Sequence, residues 1–147
     1  MITEFAKVYD RDISRLKQEI ESFKQEMNLW VTTGAIKNSS GNLCLHLIGN
    51  LRTYIGKNMG NRDYVRDRDA EFNLKDVARQ DLLQQIDMTR AVVGSTFANL
   101  KETSLKELHI EEVLGYPMTN AFFLIHLTAH FSYHLGQINY LRRALEN

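Results

Sequence analysis

A single proline, Pro117, interrupts this chain, and its eight glycines fall mostly in short clusters, so long stretches run without a helix-breaking residue. Those stretches are also periodic. From Thr3 to about Met27, Phe5, Val8, Ile13, Leu16, Ile20 and Phe23 recur at three- to five-residue steps among charged side chains, which predicts an amphipathic helix with one solvated face. Asn28 to Val31 shortens the period, Trp30 there is placed to cover a bundle end, and 33–42 reads as a loop. Ser39 or Ser40 offers a capping hydroxyl to a second helix, from about Asn42 to Lys57. The start of that helix, Leu43-Cys44-Leu45-His46-Leu47-Ile48-Gly49-Asn50-Leu51, is so apolar that at least two of its faces must be covered.

A third helix begins at Asn73 or Asp76 and continues to about Leu100, with Gly94 as a soft point, because glycine costs about 1 kcal/mol relative to alanine in a helix interior. After the break at Gly115-Tyr116-Pro117, Thr119 caps a final helix that runs to Asn147. Four helices with two longer connections predict an all-α chain, a single four-helix-bundle domain over residues 1–147.

Eighteen basic and eighteen acidic residues cancel, and neither sign forms a long block. That balance gives no electrostatic footprint for nucleic acid or for an anionic membrane surface. Charges near the N-terminus take the place of a signal-peptide core, and no run approaches the roughly 20 apolar residues of a membrane span, so a cytoplasmic protein is expected. The one cysteine, Cys44, cannot form an internal disulfide and sits between leucines, which suits a buried, inert thiol.

The chemistry is concentrated in the last helix, in His126-Leu127-Thr128-Ala129-His130-Phe131-Ser132-Tyr133-His134-Leu135-Gly136-Gln137. At about 100° per residue, Phe123, Leu127, Phe131, Leu135, Ile138 and Leu141 form an apolar stripe; His130 and His134 lie roughly 70° and 30° from its centre, and His126 about 110° away. His130 and His134 therefore face the core, and His126 sits at its margin. Imidazoles four residues apart can direct nitrogens at one point, as paired metal ligands do, although core histidines satisfied by single hydrogen bonds would give the same spacing. Phe131 stands where a zincin helix needs glutamate. His46, on the apolar second helix, needs a partner if buried, and a bundle can bring it to His130 and His134. Three imidazoles leave a coordination position open, the arrangement of a catalytic site, whereas no glutamate precedes these histidines by three residues as ferritin-like di-iron sites require. His109 has no spaced partner and reads as a surface histidine. Between Gly56 and Phe72, alternating charge predicts a solvated loop; the sharper alternative is a lid whose Arg62, Arg66 or Arg68 meets an anionic substrate.

The pairing of Leu43-Cys44-Leu45-His46-Leu47-Ile48-Gly49-Asn50-Leu51 with a downstream His130-x-x-x-His134-x-Gly136-Gln137-Ile138 resembles the DinB/YfiT-like superfamily of bacterial metalloenzymes. The resemblance spans nearly the whole chain, and the Tyr64-to-Phe72 run is similar to that of an uncharacterised subgroup. It implies a four-helix bundle, often a homodimer, with one divalent metal ion per chain held by His46, His130 and His134. Zinc or nickel comes first, with iron, manganese or cobalt as further choices; three imidazoles alone do not decide. The resemblance also implies thiol S-transfer from a low-molecular-weight thiol or, alternatively, metal-dependent hydrolysis; a non-catalytic dimeric interaction protein is the third choice. Gln137 and Asn50 are then candidates to orient a ligand or imidazole, and Tyr133, Arg62, Arg66, Arg68 and His126 to touch a small-molecule substrate. Leu135 and Tyr133 stand where members commonly carry arginine and a further histidine, which weakens any transfer of substrate.

Overall fold

A computed structural model describes residues 1–147, and it is all helical. α1 spans Ile2–Glu21, α2 Ser40–Leu51, α3 Arg68–Asn73, α4 Arg79–Asn99 and α5 Asn120–Leu145, with short 3₁₀ turns at Glu26–Trp30 and Glu102–Lys106. No helix is long and apolar enough to cross a membrane.

The four long helices bury one core. α1 packs on α4 and α5, and α2 packs on the same two, so α1 and α2 lie on one diagonal and α4 and α5 on the other. Charged and polar contacts set the directions. Lys17 pairs with Asp87 and Arg90 with Asp10, which runs α1 against α4, whereas Tyr9 donates to the Leu124 carbonyl and Arg142 to Glu19, which runs α1 along α5. α2 and α4 run the same way, so residues 58–78 must return along the outside of the bundle, carrying α3 with them. Inside, Tyr9, Ile13, Leu16, Leu47, Leu51, Ile86, Phe123, Leu127 and Phe131 are essentially inaccessible. Truncating one of the large ones to alanine costs roughly 2–5 kcal/mol.

Local chemistry explains where the helices end. α1 stops at Glu21, short of Met27, because Ser22 returns its hydroxyl and N–H to the Gln18 carbonyl and the Glu146 carboxylate from α5 then takes the N–H groups of Lys24 and Gln25. Ser39 is the residue that caps α2, accepting from the Asn42 N–H, and every residue of α2 from Ser40 to Leu51 is buried. Past Leu51 the helix widens into a π turn over Arg52–Lys57, where Gly56 lies against Val92 of α4 with no room for a Cβ. α4 begins at Arg79, later than Asn73 or Asp76, since Asp76 takes a left-handed φ of 57° and the Arg79 N–H is capped from a distance by Glu26. Gly94 leaves α4 unbroken. Trp30 lies flat on Gly41 at the start of α2, and Thr119 caps α5 through the Phe122 N–H.

His109 is a correction. It is buried, 7% exposed, because its N–H bonds the Met118 carbonyl and its ring packs on Phe123 at 4.4 Å between centroids. Both ring nitrogens are used: Nδ1 donates to Asn120 Oδ1 at 2.9 Å and Nε2 accepts from Asn58 at 3.2 Å. The histidine fastens the 102–119 connection to the start of α5.

Candidate metal centre

His46 occupies the middle of the buried α2, where an imidazole with unused nitrogens would be costly. One nitrogen is used at once: Nδ1 donates to Glu71 Oε1 at 3.0 Å. That bond fixes the tautomer and leaves Nε2 with a lone pair. Glu71 comes from α3 and is 6% exposed, and Arg66 grips it through two parallel bonds, Nε to Oε2 at 2.8 Å and Nη2 to Oε1 at 2.9 Å. Burial raises the Glu71 pKa, but hydrogen bonds from His46 and Arg66 and the Arg66 charge outweigh it and hold the carboxyl below its ordinary value. Asn42 of α2 fastens α3 from the other side by donating to the Glu71 and Leu74 carbonyls. The carboxylate reaches His46 because residue 49, one turn further along α2, is glycine: any Cβ there would overlap Glu71.

α5 runs antiparallel to α2 and delivers the other two imidazoles. His130 Nε2 lies 3.1 Å from His46 Nε2, and the His134 ring stands edge-on to both. His134 Nδ1 donates to Gln137 Oε1 at 2.7 Å, one helical turn on, which leaves its Nε2 lone pair free for the cluster. One nitrogen from each of His46, His130 and His134 lies within 4.8 Å of the others, so the group could hold a metal ion.

The donor set fits a divalent cation on three counts. Imidazole nitrogens 3.1 Å apart are bridged either by one ring's own N–H or by a cation, and the spacing suits the second case because nitrogens 2.0–2.1 Å from a tetrahedral ion lie about 3.3 Å apart. His130 Nδ1 has no protein partner, so nothing on the far side of the ring draws Nε2 away from the cluster. Burial, followed by the nearby His134, His46, His126 and Arg66, lowers the His130 pKa to about 4, and burial lowers that of His134 against the pull of Gln137. Both rings are thus neutral, the form that binds metal, at neutral pH.

The other residues singled out in the sequence divide. Tyr133 is exposed beside His134, with ring centroids 5.3 Å apart, and shares with it and Gln137 a cleft of about 670 Å³. His126 stays outside the cluster, its ring 6.4 Å from His130 and stacked on Phe123. Asn50 is buried on α2 but bonds none of the three imidazoles, and its carbonyl oxygen is unpartnered. Arg62 donates to Ser95 on α4, away from the histidines, and Arg68 lies over the Phe72 ring. Arg66 does face the site, but Glu71 occupies its guanidinium. The segment expected as a solvated loop is therefore a buttress, tied in by Glu71. That role was missed because an Arg–Glu pair five residues apart has no periodic signal. The one clue was Gly49, a residue without a side chain on the His46 side of a helix otherwise filled with leucine and isoleucine.

Cys44 is fully buried, and burial pushes its thiol well above the ordinary range, as an inert core residue requires.

The fold has solved relatives. A conserved protein from Enterococcus faecalis superposes with a TM-score of 0.75 at 16% identity, covering 97% of this chain and 95% of that one. A DinB-like protein from Bacillus cereus superposes with a TM-score of 0.75 at 14% identity, covering 96% and 90%. The bundle thus has the same fold as these two proteins. The chain belongs to the family described as protein of unknown function (DUF1572), which matches residues 2–147. A comparison with curated proteins gave no match.

Proposed function

We propose that this chain binds one divalent metal ion through His46, His130 and His134 and uses it to transfer a low-molecular-weight thiol to a small electrophile. One observation carries the proposal: three imidazole nitrogens converge within 4.8 Å while the opposite nitrogens of His46 and His134 are held by Glu71 and Gln137. A cation held there supplies Lewis acidity, which lowers the pKa of a thiol or a water beside it. Glu71 and Arg66 keep the His46 ring oriented, and Gln137 does the same for His134. The cleft beside His134 admits the substrate, with Tyr133 at its edge. Hydrolysis uses the same groups on water, so the acceptor distinguishes the two reactions.

The decisive experiment is elemental analysis of protein purified without a histidine tag or chelator, beside His46→Ala and His134→Ala. About one equivalent of zinc or nickel in the wild type and its loss in both variants is expected. A wild type that stays empty after incubation with zinc, nickel and manganese would sink the proposal, as would full occupancy well below pH 5.

A second function, association between copies of this chain, is favoured by Phe122 and Ile125, which are 49% and 57% exposed on α5. Ile125 borders a groove with Met1 and with Val8 of α1. Burying these residues in a homodimer relieves the exposure. Sedimentation of the wild type beside Ile125→Glu tests this; a monomeric wild type excludes it.

A further inference from the structure

The cleft that His134 and Gln137 share with Tyr133 extends from the three-histidine cluster between residues 35–38 and the C-terminal half of α5. Its volume, about 670 Å³, is in the range of sites that enclose a small organic molecule. Its wall is mainly apolar. Leu43 and Leu141 form the buried floor, and Ile36, Tyr133 and Tyr140, which are 45%, 66% and 74% exposed, stand around the rim. Large apolar side chains scattered singly over a surface need no explanation, but three around one cavity mark a binding surface.

Asn38, Gln137 and the two tyrosine hydroxyls line the cleft with neutral polar groups, and Lys37 is its one lysine or arginine. No acidic residue lines it, and Lys37 has no carboxylate partner in any of the chain's ion pairs. Gln137 spends its oxygen on His134, which leaves its amide N–H groups to donate elsewhere. The cleft therefore presents an ammonium and an amide donor above an apolar floor, with an imidazole of the candidate metal centre at one side. A cationic ligand would meet the Lys37 charge with no acidic residue to offset it, whereas an anionic one would be attracted by it.

We propose that this cleft is a subsite for a small amphipathic carboxylate: Lys37 and Gln137 take the carboxylate, and Leu43, Leu141 and the two tyrosines take the apolar body. The proposal rests on the three-histidine reading for its chemical purpose, since it names the class of substrate brought to that site. The binding itself needs no metal.

That independence defines the experiment. The full-length protein is titrated calorimetrically with octanoate, octanol and octylamine, once as purified and once after chelator treatment, which removes direct ligation of the probe to a metal. The same titrations are made on Lys37→Glu and on Ala144→Trp, which places an indole in the cleft from an exposed rim position. In the chelator-treated wild type octanoate should bind about three- to tenfold more tightly than octanol, the worth of one partly exposed charge-assisted contact, and octylamine more weakly than either. Lys37→Glu should reverse the order of octanoate and octylamine, and Ala144→Trp should weaken all three probes.

Equal affinity for the three probes, or an octanoate preference that survives Lys37→Glu, overturns the proposal. So does a dimer that Ala144→Trp dissociates with octanoate affinity unchanged, since the cleft would then belong to a second copy. If Ala144→Trp does not fold, the Lys37→Glu reversal decides alone. Failure of the metal reading appears elsewhere, as absent metal with octanoate selectivity intact.

Discussion

Gly49 and Glu71 compete for one position. The Glu71 carboxylate occupies the space a side chain on residue 49 would fill, and this contact between α2 and the 58–78 connection brings a negative charge to the back of His46. Gly49→Ala is therefore expected to act on the site without touching a candidate ligand. Alanine favours the helix by about 1 kcal/mol, so any loss of stability measures the displaced Glu71 network. Metal affinity, measured by competition with a chromophoric chelator, should fall about 10- to 100-fold. Unchanged affinity would show that Glu71 does not orient His46.

The Arg66–Glu71 pair should be strongly asymmetric to mutation. Arg66→Leu leaves a carboxylate of 6% exposure facing His46 alone and is expected to cost about 3 kcal/mol in urea unfolding. Changing both, as Arg66→Leu with Glu71→Leu, removes the unpaired charge and should recover part of that loss while metal affinity stays low. If the double variant is no more stable than Arg66→Leu alone, the pair is not coupled as drawn.

In the metal-free protein, acid should destabilise the fold early. His130 has a folded pKa of about 4 against about 6.5 when unfolded, so between those values the unfolded chain binds a proton that the folded chain refuses. Stability is full above pH 6.5 and declines as pH falls toward 4, with His134 adding to the slope in the same direction. His130 is only partly buried, so the loss is expected to be about 1–2 kcal/mol rather than the full value of the shift. Urea midpoints of chelator-treated protein between pH 7 and 4 check this, and His130→Leu should flatten the curve. A flat wild-type curve would contradict the burial of His130.

His109 should behave as a structural histidine despite its chemistry. His109→Ala removes a ring packed on Phe123 and leaves the buried Asn120 side-chain oxygen without its partner, a loss expected at about 2–4 kcal/mol in thermal or urea unfolding. Metal content per folded chain should be unaffected. Its loss along with the fold's integrity intact would assign His109 to the site after all.

Much of the bundle was legible because helix period, caps and breakers are local properties. Thr119, Ser39 and the Gly115–Pro117 break lie where their chemistry demands, and the apolar face of α5 carries His130 and His134 inward as its spacing predicts. What could not be read depends on groups far apart in the chain. α4 starts at Arg79 because Glu26 caps it, α1 ends where Glu146 reaches back from α5, and His109 is buried because Asn58 and Asn120 close on it. The support of His46 belongs to the same kind. Glu71 is one of many charges in its segment, and only the fold turns it toward α2.

His46 and His130 are 84 residues apart, and the helices that carry them meet only when α5 lies in its groove. Synthesis must therefore pass His134 before three imidazoles can face one another, and an ion cannot template the early stages of folding. An ion would enter the cluster after the bundle closes, and its identity would reflect which ions are free around the finished protein, because three imidazoles accept several divalent ions.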